Sequence, residues 1–116
     1  MHYPQQTVLF AEGQAPEGVF LLRSGRVKLT VSSRHGRNLF LGVVGAGELL
    51  GLGASVSGKA HELTASTLSP CEALFIPRED FLRFLRERPQ VCVEVVRLLS
   101  DDLDAAYERM RDLRRH

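Results

Sequence analysis

Apolar and polar positions change rhythm once along this chain, from a period of two to a period near three and a half. In the first part, short apolar runs alternate with turn residues, the pattern of strands joined by tight connections. Thr7 to Phe10 is the first run and ends at Glu12-Gly13. Val19 to Leu22 is the second, closed by Arg23-Ser24-Gly25. Arg26 to Val31 alternates, with Val27, Leu29 and Val31 on one face and Arg26, Lys28 and Thr30 on the other. Arg34-His35-Gly36-Arg37 reads as a hairpin turn into a fourth run, Asn38 to Val44. Leu63 to Leu68 and Glu72 to Ile76 follow, split by Ser69-Pro70, with Cys71 at a strand start. Strands at this spacing predict a sandwich or barrel.

Gly47 to His61 breaks the strand rhythm, being rich in glycine and small residues. Small residues let a ligand or another backbone approach closely. A short helix is predicted around Leu52 to Val56, and Gly47-Glu48 reads as the turn before a short strand.

From Pro77 the period becomes helical. Proline suits a helix start, and Glu79 and Asp80 suit its first turn. Phe81, Leu82, Phe84 and Leu85 form an apolar face, and Arg88-Pro89 stops the helix. Cys92, Val96, Leu99, Leu103, Ala106, Met110 and Leu113 then follow at spacings of 4, 3, 4, 3, 4 and 3. That is a heptad seam. A seam of this length predicts self-association as a homodimer, with Val93, Val95 and Leu98 packing on the barrel in the first turns.

Charge and composition narrow the functional classes. Hydrophobic residues at 44% and charged residues at 25% fit a globular domain. No apolar run reaches the length of a membrane span, so no membrane partner is expected. Met1-His2-Tyr3-Pro4 carries no signal-peptide pattern; the chain begins almost directly on strand sequence, and further residues are expected upstream. A net charge of +1 lacks the basic excess of a nucleic-acid-binding domain. Arg109, Arg111, Arg114 and Arg115 read as cations suited to a helix end. Cys71 and Cys92 are too few for a disulfide framework and match no zinc spacing; free thiols predict a cytoplasmic protein.

No catalytic set is found: there is no Gly-x-Ser-x-Gly elbow, no P-loop and no His-Glu-x-x-His. A cupin-type metal site would need paired strand histidines. His2 and His116 are terminal, His35 sits in a turn and His61 reads as a polar loop residue. Neither an enzyme nor a metal site is expected.

Val8 to Gly13, Gly18 to Val27, Gly36-Arg37, Gly47 to Gly51 and Ile76 to Phe81, in this order and spacing, resemble the N-terminal sensor domain of Crp/Fnr-type bacterial transcription regulators. The resemblance covers nearly the whole chain. It implies a mainly β fold: a double-stranded β-helix, or jelly-roll-like β-roll, of eight strands over residues 1–88 with a short flanking helix. A long dimerisation helix would follow over 89–116. It also implies a helix-turn-helix domain that reads DNA beyond His116, so that this chain would meet DNA only through a domain it does not contain.

The resemblance further implies a phosphate-binding cassette, and here the sequence departs from the family. In nucleotide-binding members, a glutamate one residue after the cassette glycine accepts from the ribose hydroxyl. An arginine about ten residues on pairs with the cyclic phosphate. Here the glycine corresponds to Gly51, the glutamate to Leu52, and the arginine position falls near His61, with Glu62-Leu63 following. A buried phosphate needs a cation or several N–H donors, and lysine at Lys59 is a point charge, not a bidentate fork. The ligand-contacting set on this alignment is Gly51, Leu52, Gly53, Ala54, Lys59, His61, Glu62 and Thr64. The expectation is an altered site for which cyclic nucleotide is not the ordinary ligand, leaving an unknown small-molecule effector as partner. Three alternatives stay open: cyclic AMP after all, another small anion held by Gly51 to Ala54 with Lys59 and His61, or a structural dimerisation module. Ser57 to His61 resembles the Fnr-like branch, whose oxygen-sensing members hold an iron–sulfur cluster through N-terminal cysteines; none stand there, so no cluster is expected. For a haem, His61 is the one candidate axial ligand.

Overall fold

The computed structural model describes residues 1–33 and 35–114, with the backbone alone for 102–114. Two compact units make up the chain, Met1–Leu82 and Arg83–His116.

The first unit is a β-roll. Its strands are β1 (His2–Tyr3), β2 (Val8–Phe10), β3 (Gly18–Ser24), β4 (Val27–Ser32), β5 (Asn38–Val44), β6 (Leu49–Leu50), β7 (Thr64–Thr67) and β8 (Cys71–Pro77), with helix α1 (Leu52–Ser57) between β6 and β7. They form two antiparallel four-stranded sheets, β1-β8-β3-β6 and β2-β7-β4-β5. The jelly-roll-like fold class expected from the apolar runs is the one observed. Alternation works as read at Val27 and Leu29, which are buried, while Lys28 and Thr30 are half-buried; Val31, read on the Val27 face, is half-buried as well. The core gathers Phe10, Phe20, Leu22, Val27, Leu29, Leu50, Ala65, Cys71 and Ala73.

The strand bounds follow the sequence reading closely, with small differences. β8 starts at Cys71, which is buried, as a small apolar thiol tends to be. Pro77 closes β8 instead of opening the next helix. Beyond it runs α2 (Arg78–Glu87), with Glu79 and Asp80 in its first turn. β1 and β6 hold two residues each, too few to leave a period. The hairpin after β4 closes through the Ser33 amide on the Arg37 carbonyl at 2.7 Å and the Gly36 amide on the Ser33 carbonyl at 3.1 Å.

The second unit holds the end of α2 and all of α3 (Pro89–Arg114). The Cys92 thiol donates to the Leu85 carbonyl at 3.1 Å, and the Arg88 guanidinium lies 4.4 Å from the centre of the Phe84 ring. Val95 is buried. Val93 and Leu98 are not: they leave 61% and 46% of their surface exposed. For Val93 the reason is angular, since a position two residues from a buried Val95 turns to the opposite side of a helix with 3.6 residues per turn; Leu98, three residues on, lies toward the Val95 side and is the less exposed of the two. Along the heptad seam, Val96 is 62% exposed and Cys92 and Leu99 are half-buried. The side chains of Leu103, Ala106, Met110 and Leu113, and the arginines from Arg109 on, lie outside the described residues.

Candidate functional site

Two backbone glycines build the turn that presents α1. Gly51 adopts φ 83° and Gly58 φ 78°, flanking a six-residue helix. Both values lie in the left-handed region that glycine enters without a Cβ penalty. The Gly58 amide closes the helix on the Ala54 carbonyl at 2.8 Å. Arg78, the first residue of α2, reaches the same helix: its Nε donates to the Ser55 carbonyl at 2.8 Å, and its own amide donates to the Glu17 carbonyl at 2.9 Å. Ser55 is fully buried, and its hydroxyl has no hydrogen-bond partner among the described residues.

His61 stands where a polar loop residue was expected, and the structure corrects that reading. It is buried, with 6% of its surface exposed, and its ring stacks on Phe10 at 4.0 Å between centroids and 17° between planes. The segment around it is pinned by backbone bonds that a linear reading does not reveal. The His61 amide donates to the Gln14 carbonyl at 3.0 Å, and the Gly13 amide donates to the His61 carbonyl at 2.8 Å. Space for the ring exists because Gly51 has no side chain. A Cβ there would sit 3.3 Å from His61 Cε1 and 3.0 Å from the Gly18 carbonyl oxygen.

Around the ring lies a slot lined by Leu9, Phe10, Gln14, Glu17, Gly18, Phe20 and Phe75 beside His61 itself. Phe20 packs on Phe75 with centroids 4.9 Å apart. The slot encloses about 20 Å³, room for about one water. Burial holds the His61 ring below its usual 6.5, and the Glu17 carboxylate pulls the other way more weakly. A larger open hollow of about 560 Å³ lies against β1, between His2–Gln5 and the Pro70–Glu72 stretch, and no cassette residue lines it.

The other cassette positions divide. Leu52, at the glutamate position, is buried at 3% exposure and offers no polar atom. Thr64 is engaged, its Oγ1 accepting from the Glu12 amide at 2.9 Å. Ala54 is half-buried, and Gly53, Lys59 and Glu62 are exposed. Gly51 and His61 are thus brought together. Phe10, Glu17 and Phe75 join them without having been singled out in the sequence; Phe10 belongs to a strand run whose alternation marks it only as core. No group of three or more histidine, cysteine or acidic side chains fit to hold a metal occurs among the described residues. No helix among them is long and apolar enough to cross a membrane.

Comparison with known proteins agrees with this architecture. The profile of the cyclic nucleotide-binding domain matches residues 1–88. The chain is 30% identical over 104 residues to the cyclic AMP receptor protein of Thermus thermophilus, covering 90% of this chain and 48% of that protein. It is 22% identical over 111 residues to a CRP-like cAMP-activated global transcriptional regulator of Mycobacterium tuberculosis, covering 96% of this chain and 50% of the relative. The chain therefore spans about half the length of the curated relatives it matches. The crystal structure of the Thermus thermophilus catabolite activator protein superposes with a TM-score of 0.87 at 28% identity, over 97% of this chain and 53% of that one. The chain belongs to the cyclic nucleotide-binding domain family and is similar to the sensor domain of Crp/Fnr-type regulators.

Proposed function

We propose that this chain is the effector-sensing and dimerisation part of a bacterial Crp/Fnr-type transcription regulator, with a cassette altered beyond ordinary cyclic-nucleotide use. One observation carries the altered-cassette reading. The stretch where the family places its phosphate-binding arginine holds no arginine, and His61 there is folded inward against Phe10. An arginine there keeps its charge at every physiological pH and presents a planar fork to two phosphate oxygens. A buried, uncharged imidazole does neither. Leu52 compounds the loss, because a buried leucine cannot accept from a ribose hydroxyl. The named relatives carry cyclic AMP in their descriptions; the departures in this chain argue for a different signal.

Support for pairing comes from α3. A helix whose Val93 and Val96 stay more than half exposed carries apolar surface that a second copy would cover. DNA recognition in this reading belongs to residues outside positions 1–116, in a cytoplasmic regulator. The small slot favours one second reading, a structural dimerisation module whose interior its own side chains fill.

Calorimetric titration with cyclic AMP and cyclic GMP near pH 7.5 tests the altered cassette. The expected outcome is no heat of binding at micromolar ligand. Micromolar affinity for either nucleotide overturns it.

A further inference from the structure

His61 combines three properties that are not needed together in a core residue: it titrates, it is buried, and it faces a carboxylate at the rim of its slot. Its ring lies flat on Phe10, 17° from parallel. An imidazolium in that place would gain some attraction from the face of the phenyl ring. It would also lose its hydration, and of the two influences on His61 that are resolved, burial outweighs the pull of Glu17. The side chains that line the slot come from β2, the 11–17 loop, β3 and β8, and Gly51 adds the edge of α1. Among these, Glu17 is the one other charged group, and it is exposed. Lys59 and Glu62, the charged residues nearest in sequence, are exposed too.

The backbone on both sides of the ring is fixed. The His61 amide and carbonyl are each bonded to the 11–17 loop or its border, so the ring can leave by side-chain rotation without unfolding the segment. At the cassette Leu52 has no charge, Lys59 is exposed and the Arg78 guanidinium is engaged at the Ser55 carbonyl of α1, so the slot beside the ring offers a small oxyanion no lysine or arginine.

We propose that His61 is a proton-operated latch on the cassette: neutral, it fills the slot on Phe10; protonated, it turns out toward solvent and adds a cation to the cassette. This rests on the cassette assignment made above. The ligand class is a small oxyanion such as a phosphate ester, bound in the acid form of the domain and released in the neutral form. Proton uptake and anion binding are then reciprocal, each strengthening the other.

The test uses the intact chain between about pH 7.5 and pH 5.5. Nuclear magnetic resonance follows the His61 Cε1 proton and the Phe10 ring protons. Both are expected to shift together, with one midpoint below 6.5; Phe10 signals that stay still while His61 titrates overturn the latch. Calorimetry with cyclic AMP as the probe oxyanion is expected to show about tenfold or greater tightening at the lower pH. The variant His61→Phe keeps a ring on Phe10 and is expected to lose that gain. Equal affinity at both pH values, no binding at either, or a gain that persists in His61→Phe overturns the proposal. The wild-type comparison stands even where the variant folds poorly. Absence of binding at both pH values sinks the latch and leaves the altered-cassette reading intact. Micromolar binding near pH 7.5 with a further gain in acid does the reverse.

Discussion

Gly18 and Gly51 decide what can stand around His61. A Cβ on Gly18 would press into the Ile76 carbonyl and the Phe75 ring, and one on Gly51 would crowd the His61 ring. The His61–Phe10 stack therefore depends on Gly51, and the Phe75 wall of the slot on Gly18. A stacked pair of this kind contributes about 0.5–1.5 kcal/mol beyond its buried area. Its pH dependence follows from burial. In the unfolded chain His61 takes up a proton near 6.5, while in the folded domain it does so at lower pH. Between the two values the unfolded state binds more protons, so stability rises with pH there. The His61 contribution is present above 6.5 and is lost as pH falls from 6.5 through the folded value. Thermal melts between about pH 7.5 and pH 5 should show this decline in wild type. His61→Phe should flatten the part due to this residue; equal slopes in the two proteins would sink the assignment. In the sequence, Gly51, Leu52 and His61 are assigned to the cassette through the resemblance alone. Their use was not legible, because Phe10 lies 51 residues before His61, and no local period reports a contact across that distance.

α1 and α3 show opposite limits of what a pattern reveals. The glycine-rich stretch predicted a short helix at Leu52, and α1 runs Leu52–Ser57. The turn chemistry was enough, since glycines at both ends allow the left-handed caps. Two-residue β1 was illegible as a strand, because pairing with β8 defines it and nothing within it does, whereas β6 was marked by the Gly47-Glu48 turn before it. In α3 the spacing gave the helix itself but not which early positions are covered. Val95 is buried while Val93 and Leu98 are exposed, although all three were assigned to the barrel side. The seam makes a prediction at this scale. Leu103→Glu places a charge on the expected pairing stripe, where an uncompensated buried charge costs about 3–5 kcal/mol. Sedimentation should find wild type dimeric and Leu103→Glu monomeric. A variant that remains dimeric means that the two copies meet elsewhere, or along another face of α3.

At the scale of the whole molecule, charge bears on the division of labour proposed above. Lys and Arg number 15 against 14 Asp and Glu, so the chain has almost no net attraction for a polyanion. Its charges are spent locally: the Arg78 guanidinium holds the Ser55 carbonyl, and Arg97 meets Glu94 at 3.4 Å. Non-specific binding to a duplex is built from lysines and arginines that neutralise phosphates and release counterions, and the affinity it yields is about 10⁻⁴–10⁻⁶ M at physiological salt. A domain without basic excess has little of this to offer, and a dimer doubles a net charge of +1 without making it a basic surface. These 116 residues should therefore leave a labelled duplex free in fluorescence anisotropy at about 0.15 M salt, at protein concentrations well into the micromolar range. Binding that strengthens steeply as salt is lowered would expose a basic face that the balanced total conceals. It would also defeat the division of labour proposed for this regulator, in which positions 1–116 receive the signal and pair while residues outside them read DNA.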